Sequence, residues 1–356
     1  MEQTLTKLTY QAFQYGKSFL GLNHKALATR VRNLVAPHRN DNIQSISADT
    51  MMRYRDRFER LIEQDWADAE NGVYPASLLF DTPWTDIAQF YPQLLLDLPQ
   101  TWHRSNNGRF NEFSEGVKTA GYPQYYVRNF HYQTDGYFSE QSANLYDLQV
   151  EILFNGCADP MRRRILAPLK AGLASMVSPT SQSRILDVAC GTGRTLRLLR
   201  AAFPHASLHG VDLSPTYLRK ANQSLLELPG ELPQLLQANA ETLPYTDHYF
   251  HGISCVFLFH ELPAPVRQQV INECYRVLQP GGTFIICDSV QLIDSPEMEP
   301  MMKNFQTVFH EPFYKSYVED NMEERLQIAG FEVNDIQIHL ASKYWIAQKP
   351  LNHSSP

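Results

Sequence analysis

The feature that most constrains this chain is a rhythm of apolar strands and amphipathic helices over residues 179–349. RILDVA reads as a strand, and residues 193–203 follow as a helix with Leu196, Leu199 and Phe203 at helical spacing. LHGVDL, PQLLQANA, GISCVFLF and TFIICDS are four more strands. PTYLRKANQSLLEL and VRQQVINECYRVL are helices between them, the second closed by Pro280-Gly281-Gly282. MEERLQIAGF is a last helix, and EVNDIQIHLA with SKYWIAQK makes a terminal hairpin. Strands apolar on both faces and separated by helices imply an α/β fold. The sheet is seven-stranded, mostly parallel and doubly wound (Rossmann-like), with an antiparallel hairpin at its end.

The rest of the chain has a different texture. Residues 1–115 read as a mainly helical N-terminal region. Ser47 or Asp49 caps a helix through Phe58, Leu61 and Trp66 that stops at Asn71-Gly72. Short segments punctuated by Pro75, Pro83, Pro92 and Pro99 follow, then a surface loop at Asn106-Asn107-Gly108. Residues 116–178 form an aromatic-rich connecting or cap segment. GYPQYYVRNFHYQTDGYF holds seven Phe or Tyr where the chain's 12% average gives about two. Ser139 caps the next helix, which stops at Asn155-Gly156, and Asp159-Pro160 opens another that Pro168 kinks. The basic run Arg162-Arg163-Arg164 reads as the solvated face of that helix.

Composition narrows the function classes. A net charge of −7 argues against a nucleic-acid partner, because phosphate binding needs a basic footprint. Five scattered cysteines, none in CxxC spacing, give neither a disulfide framework nor a zinc site, and no metal is expected. The start MEQTLTKLTY lacks the pattern of a signal peptide, and no apolar run is long enough to span a membrane. A reducing, cytoplasmic setting is the expectation, with peripheral membrane contact and oligomeric state left open.

The stretch ILDVACGTGRT places Gly191 and Gly193 between the first strand and first helix of the sheet. Bare backbone there lets a ligand approach the helix N–H groups. A dinucleotide fingerprint needs GxGxxG, but its third glycine position is Leu196, and no Lys-Ser or Lys-Thr follows as in a phosphate loop. Asp187, in the strand before the loop, suits a ligand with a positive amino group. Asp212, ending the second strand nineteen residues past Gly193, can accept both ribose hydroxyls. Together these describe a pocket for adenosine joined to an amino-acid tail, namely S-adenosylmethionine.

On ILDVACGTGRT, GVDLSPTYLRKA, ANAETLPYTDHYFHGISCVFLFHEL and RVLQPGGTFIICD, the C-terminal half resembles the class I S-adenosylmethionine-dependent methyltransferases. The likeness is to their small-molecule branch, which includes the quinone C-methyltransferases. It implies that Asp187, Ala189, Gly191 and Gly193 hold the methionine end. Asp212 would take the ribose, Leu213, Asn239 and Ala240 would meet the adenine, and Cys255 would begin the pocket wall. The family usually has Asp where Asn239 stands, and often Asp where His251 stands. The acceptor is expected to be small and apolar or aromatic. Candidates for acceptor contact or base assistance are His260, Glu261, Asp288 and His131, with Tyr132 and Asp135 beside the last. Each has a structural alternative: a hydrogen bond for His260, a helix cap for Glu261, a loop cap for Asp288, and domain packing for the aromatic segment. Residues 291–318, with Met301, Met302, Phe305, Phe309, Phe313 and Tyr314, could wall the acceptor or be ordinary core. A non-catalytic, cofactor-binding protein with an assembly or regulatory role is the alternative function; a nicotinamide oxidoreductase is disfavoured by Leu196.

Overall fold

A computed structural model describes residues 2–37, 43–176 and 182–351. The N-terminal layer begins with α1 (Glu2–Val35) and α2 (Ala48–Glu70). The Ser47 side chain accepts from the Thr50 N–H at 3.1 Å and so caps α2. A 3-10 turn over Ala76–Phe80 leads into α3 (Trp84–Asn107), which runs unbroken through Pro92 and Pro99. The prolines therefore do not divide this stretch as the sequence suggests. Each removes one backbone bond, yet burial of Phe90, Leu94 and Trp102 holds the helix together. Asn106 and Asn107 belong to its last turn, and only Gly108, in the left-handed conformation at φ 63°, ends it. The aromatic segment then crosses the molecule with a single 3-10 turn at Phe130–Tyr132.

The helices α4 (Glu140–Leu153), α5 (Ala158–Arg163) and α6 (Leu166–Ala174) bring the chain to the sheet. The break between α5 and α6 falls at Arg164-Ile165, ahead of Pro168, whose missing N–H leaves the Arg164 carbonyl without its helical donor. The three arginines are not on a wet face: Arg163 is 1% exposed, and its neighbours Arg162 and Arg164 only 4% and 5%. Arg163 forks onto Asp65 at 2.6 and 2.9 Å, Arg164 binds Asp68, and Arg162 pairs with Asp159 at 3.1 Å. Tyr10 and Tyr74 also donate to Asp65, the latter at 2.6 Å. A charge run is compatible with burial when each member meets an acid, and two of those acids, Asp65 and Asp68, lie about a hundred residues away in sequence.

The sheet comprises β1 (Arg184–Val188), β2 (Ser207–Asp212), β3 (Gln234–Gln237), β4 (Phe250–Val256), β5 (Leu278–Ser289), β6 (Glu332–His339) and β7 (Ser342–Gln348). Its order is β3-β2-β1-β4-β5-β7-β6, with β7 antiparallel to both neighbours. The seven-stranded, mostly parallel sheet and its terminal hairpin are thus as the sequence implies. The crossovers are α7 (Arg194–Ala202), α8 (Pro215–Leu225) and α9 (Ala264–Val277). Residues 291–318 contribute α10 (Glu299–Val308) and α11 (Tyr314–Val318), and α12 (Met322–Ala329) precedes the hairpin. Pro280-Gly281-Gly282 lies inside β5 rather than closing α9, at a register shift where Phe250 pairs with Leu278 but Gly252 with Thr283.

One hydrophobic cluster runs from Tyr10, Leu61 and Trp66 through Met161 and Leu166 to Ile185, Leu196, Ile285 and Tyr344. It draws on all three stretches of chain. The division at 178/179 lies outside the described residues. Among the described residues no helix is long and apolar enough to cross a membrane. Replacing Asp65 by Ala would strand the buried Arg163 charge. We expect a loss of about 3–5 kcal/mol, read as a lower midpoint in urea unfolding.

Candidate functional site

Strand order reverses beside β1: the chain leaves it for β2 on one side and reaches β4 on the other. Crossovers diverge there and leave a crevice at the strands' carboxyl ends. Ala189 and Phe257, just past β1 and β4, both adopt left-handed backbone at φ 56° and 60°. Such conformations cost about 1–3 kcal/mol and concentrate at binding sites. A cavity of about 100 Å³ opens between them. Its floor includes Ala189, Gly191, Asp212 and Leu213; Asn239 and Ala240 lie along one side, and Val256 to Leu258 and Glu261 along another. Tyr125, Tyr126, Tyr137, Tyr146 and Tyr217 close the rest.

Asp212 is the best-placed acid. Its two oxygens accept from the Gly191 N–H at 2.9 Å and the Ser214 N–H at 2.8 Å, which fixes the carboxylate at the cavity wall. Burial raises its pKa to about 6 against the opposing pull of those N–H donors. Gly191 adopts φ 53°, and an added Cβ would meet only a Tyr217 ring carbon at 4.0 Å, so the constraint is backbone conformation beside the cavity.

Three residues assigned to the cofactor by resemblance do not line this cavity. Asp187 points between strands, where its register partner Ser254 donates to it at 2.7 Å, and burial lifts its pKa to about 7. Gly193 caps α7, and a Cβ there would sit 3.0 Å from that of Ala221; it allows α7 and α8 to pack closely. Cys255 is wholly buried, and the wall begins one residue later at Val256. Asn239 does line the cavity, but its amide oxygen accepts from the Glu241 N–H at 3.0 Å. His251 has a structural role: its Nδ1 accepts from the Arg184 N–H at 3.0 Å at the start of β1.

The acceptor candidates separate likewise. Asp288, fully buried at the end of β5, accepts from the Phe259 N–H at 2.7 Å and holds His260 Nδ1 at 2.6 Å. It caps the loop after β4 and does not reach the cavity. For His260, burial favours the neutral ring, but the Asp288, Glu311 and Glu261 carboxylates together outweigh it and raise the pKa to about 10. An imidazolium donates a proton rather than taking one, which argues against a base role. Glu261 caps no helix, since α9 starts after Pro263; it faces the cavity and accepts from the Tyr137 hydroxyl. Burial, then the Glu311 carboxylate, raises its pKa to about 7. His131 Nε2 lies 2.5 Å from Glu311 Oε1. Tyr132 is left-handed at φ 56°, and Asp135 accepts from the Ser114 N–H at 2.6 Å, so that acid fastens a loop.

The N-terminal layer is clasped to the glycine loop. Thr192 donates to both oxygens of Asp147 at 3.0 and 2.9 Å, and Arg194 meets Asp159 at 2.6 Å. Ser214 Oγ donates to the Tyr137 carbonyl at 2.6 Å, and Ser142 Oγ shares a hydrogen with the Tyr217 hydroxyl at 2.8 Å. Tyr126 and Tyr137 carried a signal in the aromatic density. Tyr146, Tyr217 and Glu311 carried none, because nothing local distinguishes a helix residue facing a cavity from one facing core. Met302, Tyr314 and Tyr317 of the 291–318 segment are core, whereas Phe309 borders a second cavity of about 270 Å³ with His24, Leu98, Trp102 and His131.

Residues 185–282 match the family model described as a methyltransferase domain. The chain is 28% identical over 179 residues to the demethylmenaquinone methyltransferase of Thermotoga maritima, covering 50% of this chain and 68% of that protein. It is 34% identical over 152 residues to the ubiquinone/menaquinone biosynthesis C-methyltransferase UbiE of Syntrophotalea carbinolica, covering 43% and 60%. It is 28% identical over 162 residues to the O-methyltransferase cnsE of Penicillium expansum, covering 45% and 56%. The chain thus spans between about half and two thirds of the length of these relatives. S-adenosylmethionine is the cofactor these matches support.

Two outcomes follow for cofactor binding. Asp212→Ala should weaken S-adenosylmethionine in calorimetry by about 1.5–3 kcal/mol, roughly 10- to 150-fold. For Asp212 to accept ribose hydroxyls fully it must be ionised, so in that role affinity should climb as pH rises through about 6 and then level. The same titration of Asp212→Asn should lose that step.

Proposed function

We propose, for a chain whose C-terminal half is a class I S-adenosylmethionine-dependent methyltransferase domain resembling the quinone C-methyltransferases, that the protein transfers a methyl group to a small apolar or aromatic acceptor in a reducing, cytoplasmic setting. The observation that carries this reading is the ring-lined cavity at the sheet's switch point, with Gly191 and Asp212 on one side and Glu261 on the other.

Asp212 would bind the ribose hydroxyls, and Ala189 and Gly191 would let the methionine end lie on bare backbone. Leu213, Asn239 and Ala240 would flank the adenine. Asp187 would act one step removed, setting the field behind the loop through its Ser254 bond. S-adenosylmethionine supplies an already activated methyl group on a sulfonium. What the protein adds is alignment, worth up to about 7–11 kcal/mol in well-oriented reactions. Tyr126, Tyr137, Tyr146 and Tyr217 line the cavity, where their rings would form an electron-rich wall beside a positive sulfur. Methyl transfer leaves that sulfur neutral, so the wall favours the reactant cofactor over the product.

The acceptor would approach from the Glu261 side, where a carboxyl group titrating near neutrality can receive a proton from an acidic acceptor. The second cavity, apolar over much of its lining and bordered by His131, is a suitable hold for an acceptor's ring or tail. Relatives that methylate carbon and oxygen both occur, so either atom suits the proposal.

The test is production of S-adenosylhomocysteine from S-adenosylmethionine with naphthoquinols and simple phenols as acceptors. Turnover with at least one, lowered severely in Glu261→Gln while cofactor affinity holds, is the expected result. Tight cofactor binding without turnover on any acceptor would favour a regulatory protein instead. Tyr126→Leu should reduce the preference for S-adenosylmethionine over S-adenosylhomocysteine by about 2- to 5-fold, the value of one exposed-to-buried cation–π contact of ~0.5–1 kcal/mol.

A further inference from the structure

Glu311 is 2% exposed, yet neither of its carboxylate oxygens makes a hydrogen bond. An orphaned carboxylate in a protein interior is costly, because it has surrendered water and gained no donor. It faces His131 Nε2 at 2.5 Å, but that nitrogen is also without an aligned hydrogen bond. A third group completes the set: one donor atom each from His131, Glu261 and Glu311 lie within 4.8 Å of one another. The side chains come from three distant parts of the chain, namely the aromatic segment, the loop after β4 and the loop before α11.

Their surroundings point to a cation. Phe305 and Phe309 pack on the His131 ring at centroid distances of 5.8 and 5.2 Å and cover part of it. His131 itself is held at φ 55°, in left-handed backbone that only surrounding structure can maintain. Two carboxylates and one imidazole carry more negative charge than the imidazole alone can balance. His260, which lies beside this group, is already paired with Asp288 at 2.6 Å.

We propose that His131, Glu261 and Glu311 bind one divalent first-row transition-metal ion, of the Zn²⁺ or Mn²⁺ kind. One nitrogen and two carboxylate oxygens suit such ions, and three protein ligands leave positions open for exogenous oxygen, as at catalytic rather than structural sites. Glu261 also borders the cavity assigned to the cofactor, and His131 borders the larger one. An acceptor hydroxyl reaching an open position would lose its proton more readily, the proton passing to water and the oxygen staying on the metal, with Glu261 then serving as ligand in place of base. That use rests on the methyl-transfer reading; occupancy of the site does not.

The experiment uses the full chain, stripped with chelator and then titrated with Zn²⁺ and with Mn²⁺ in calorimetry, without acceptor. Stoichiometric binding of one ion per chain is expected, weakened by about 100-fold or more in Glu311→Gln and in His131→Ala. S-adenosylmethionine affinity, measured on the same samples, should change little and shows that the variants are folded. Absence of stoichiometric binding to the wild type, or unchanged binding in folded Glu311→Gln, overturns the site. Should either variant fail to fold, Co²⁺ added to the wild type decides. Intense visible bands of a low-coordinate site with nitrogen ligation support the assignment, and the weak bands of the hydrated ion sink it. Metal binding without turnover would leave the site standing while removing the proposed function, so the two failures read differently.

Discussion

The buried arginine run from Arg162 to Arg164 is the interaction on which the rest depends. Each guanidinium has left water and must find a carboxylate, and the partners Asp65 and Asp68 lie on α2. Arg162 shares Asp159 with Arg194 at the head of the first crossover helix. The requirement to neutralise these charges locks α2, α5 and α7 together at one place. Removing one partner is far more damaging than never having had the pair, because the remaining charge cannot reach solvent. Tyr344 of β7 donates to the Met161 carbonyl in the same region at 2.8 Å, tying the arrangement to the sheet itself.

Because that junction fixes the N-terminal layer, the aromatic segment has a defined path over the carboxyl rim of the strands. Its tyrosines become a roof instead of a loose connector. Tyr126, Tyr137 and Tyr217 touch ring to ring at 5.4 to 5.8 Å, largely edge on or tilted. Such a roof lowers the local dielectric, and the carboxyl groups beneath it respond: Asp212 and Glu261 are both pushed toward neutrality by burial. Without the cap, Asp212 and Glu261 would face solvent, whereas Asp187 is held inside the sheet by Ser254. The cap therefore shapes the electrostatics of the rim.

The reading of Glu261 and His131 illustrates where sequence reasoning stops. Both stood out as polar residues in apolar or aromatic stretches. Their partner Glu311 did not, lying in a segment whose phenylalanines and methionines drew notice as an apolar wall. Asp187 and Cys255, assigned to the cofactor by resemblance, lie off the cavity lining for a different reason. Strand alternation sends neighbouring side chains to opposite faces, and a one-residue difference in where the strand ends moves the cavity wall from Cys255 to Val256.

The sequence by itself determined the alternation of strands and helices, the hairpin at the end of the sheet, the glycine loop and the acid at the tip of β2. Those depend on hydrophobic period and local backbone conformation, both written in consecutive residues. The continuity of α3 through two prolines, the burial of three adjacent arginines, the tyrosine roof and the meeting of His131, Glu261 and Glu311 were decided only by the tertiary structure. Each requires a partner more than twenty residues away or a buried face strong enough to override a local preference. Long-range charge neutralisation and burial leave no periodic trace in the chain that obeys them.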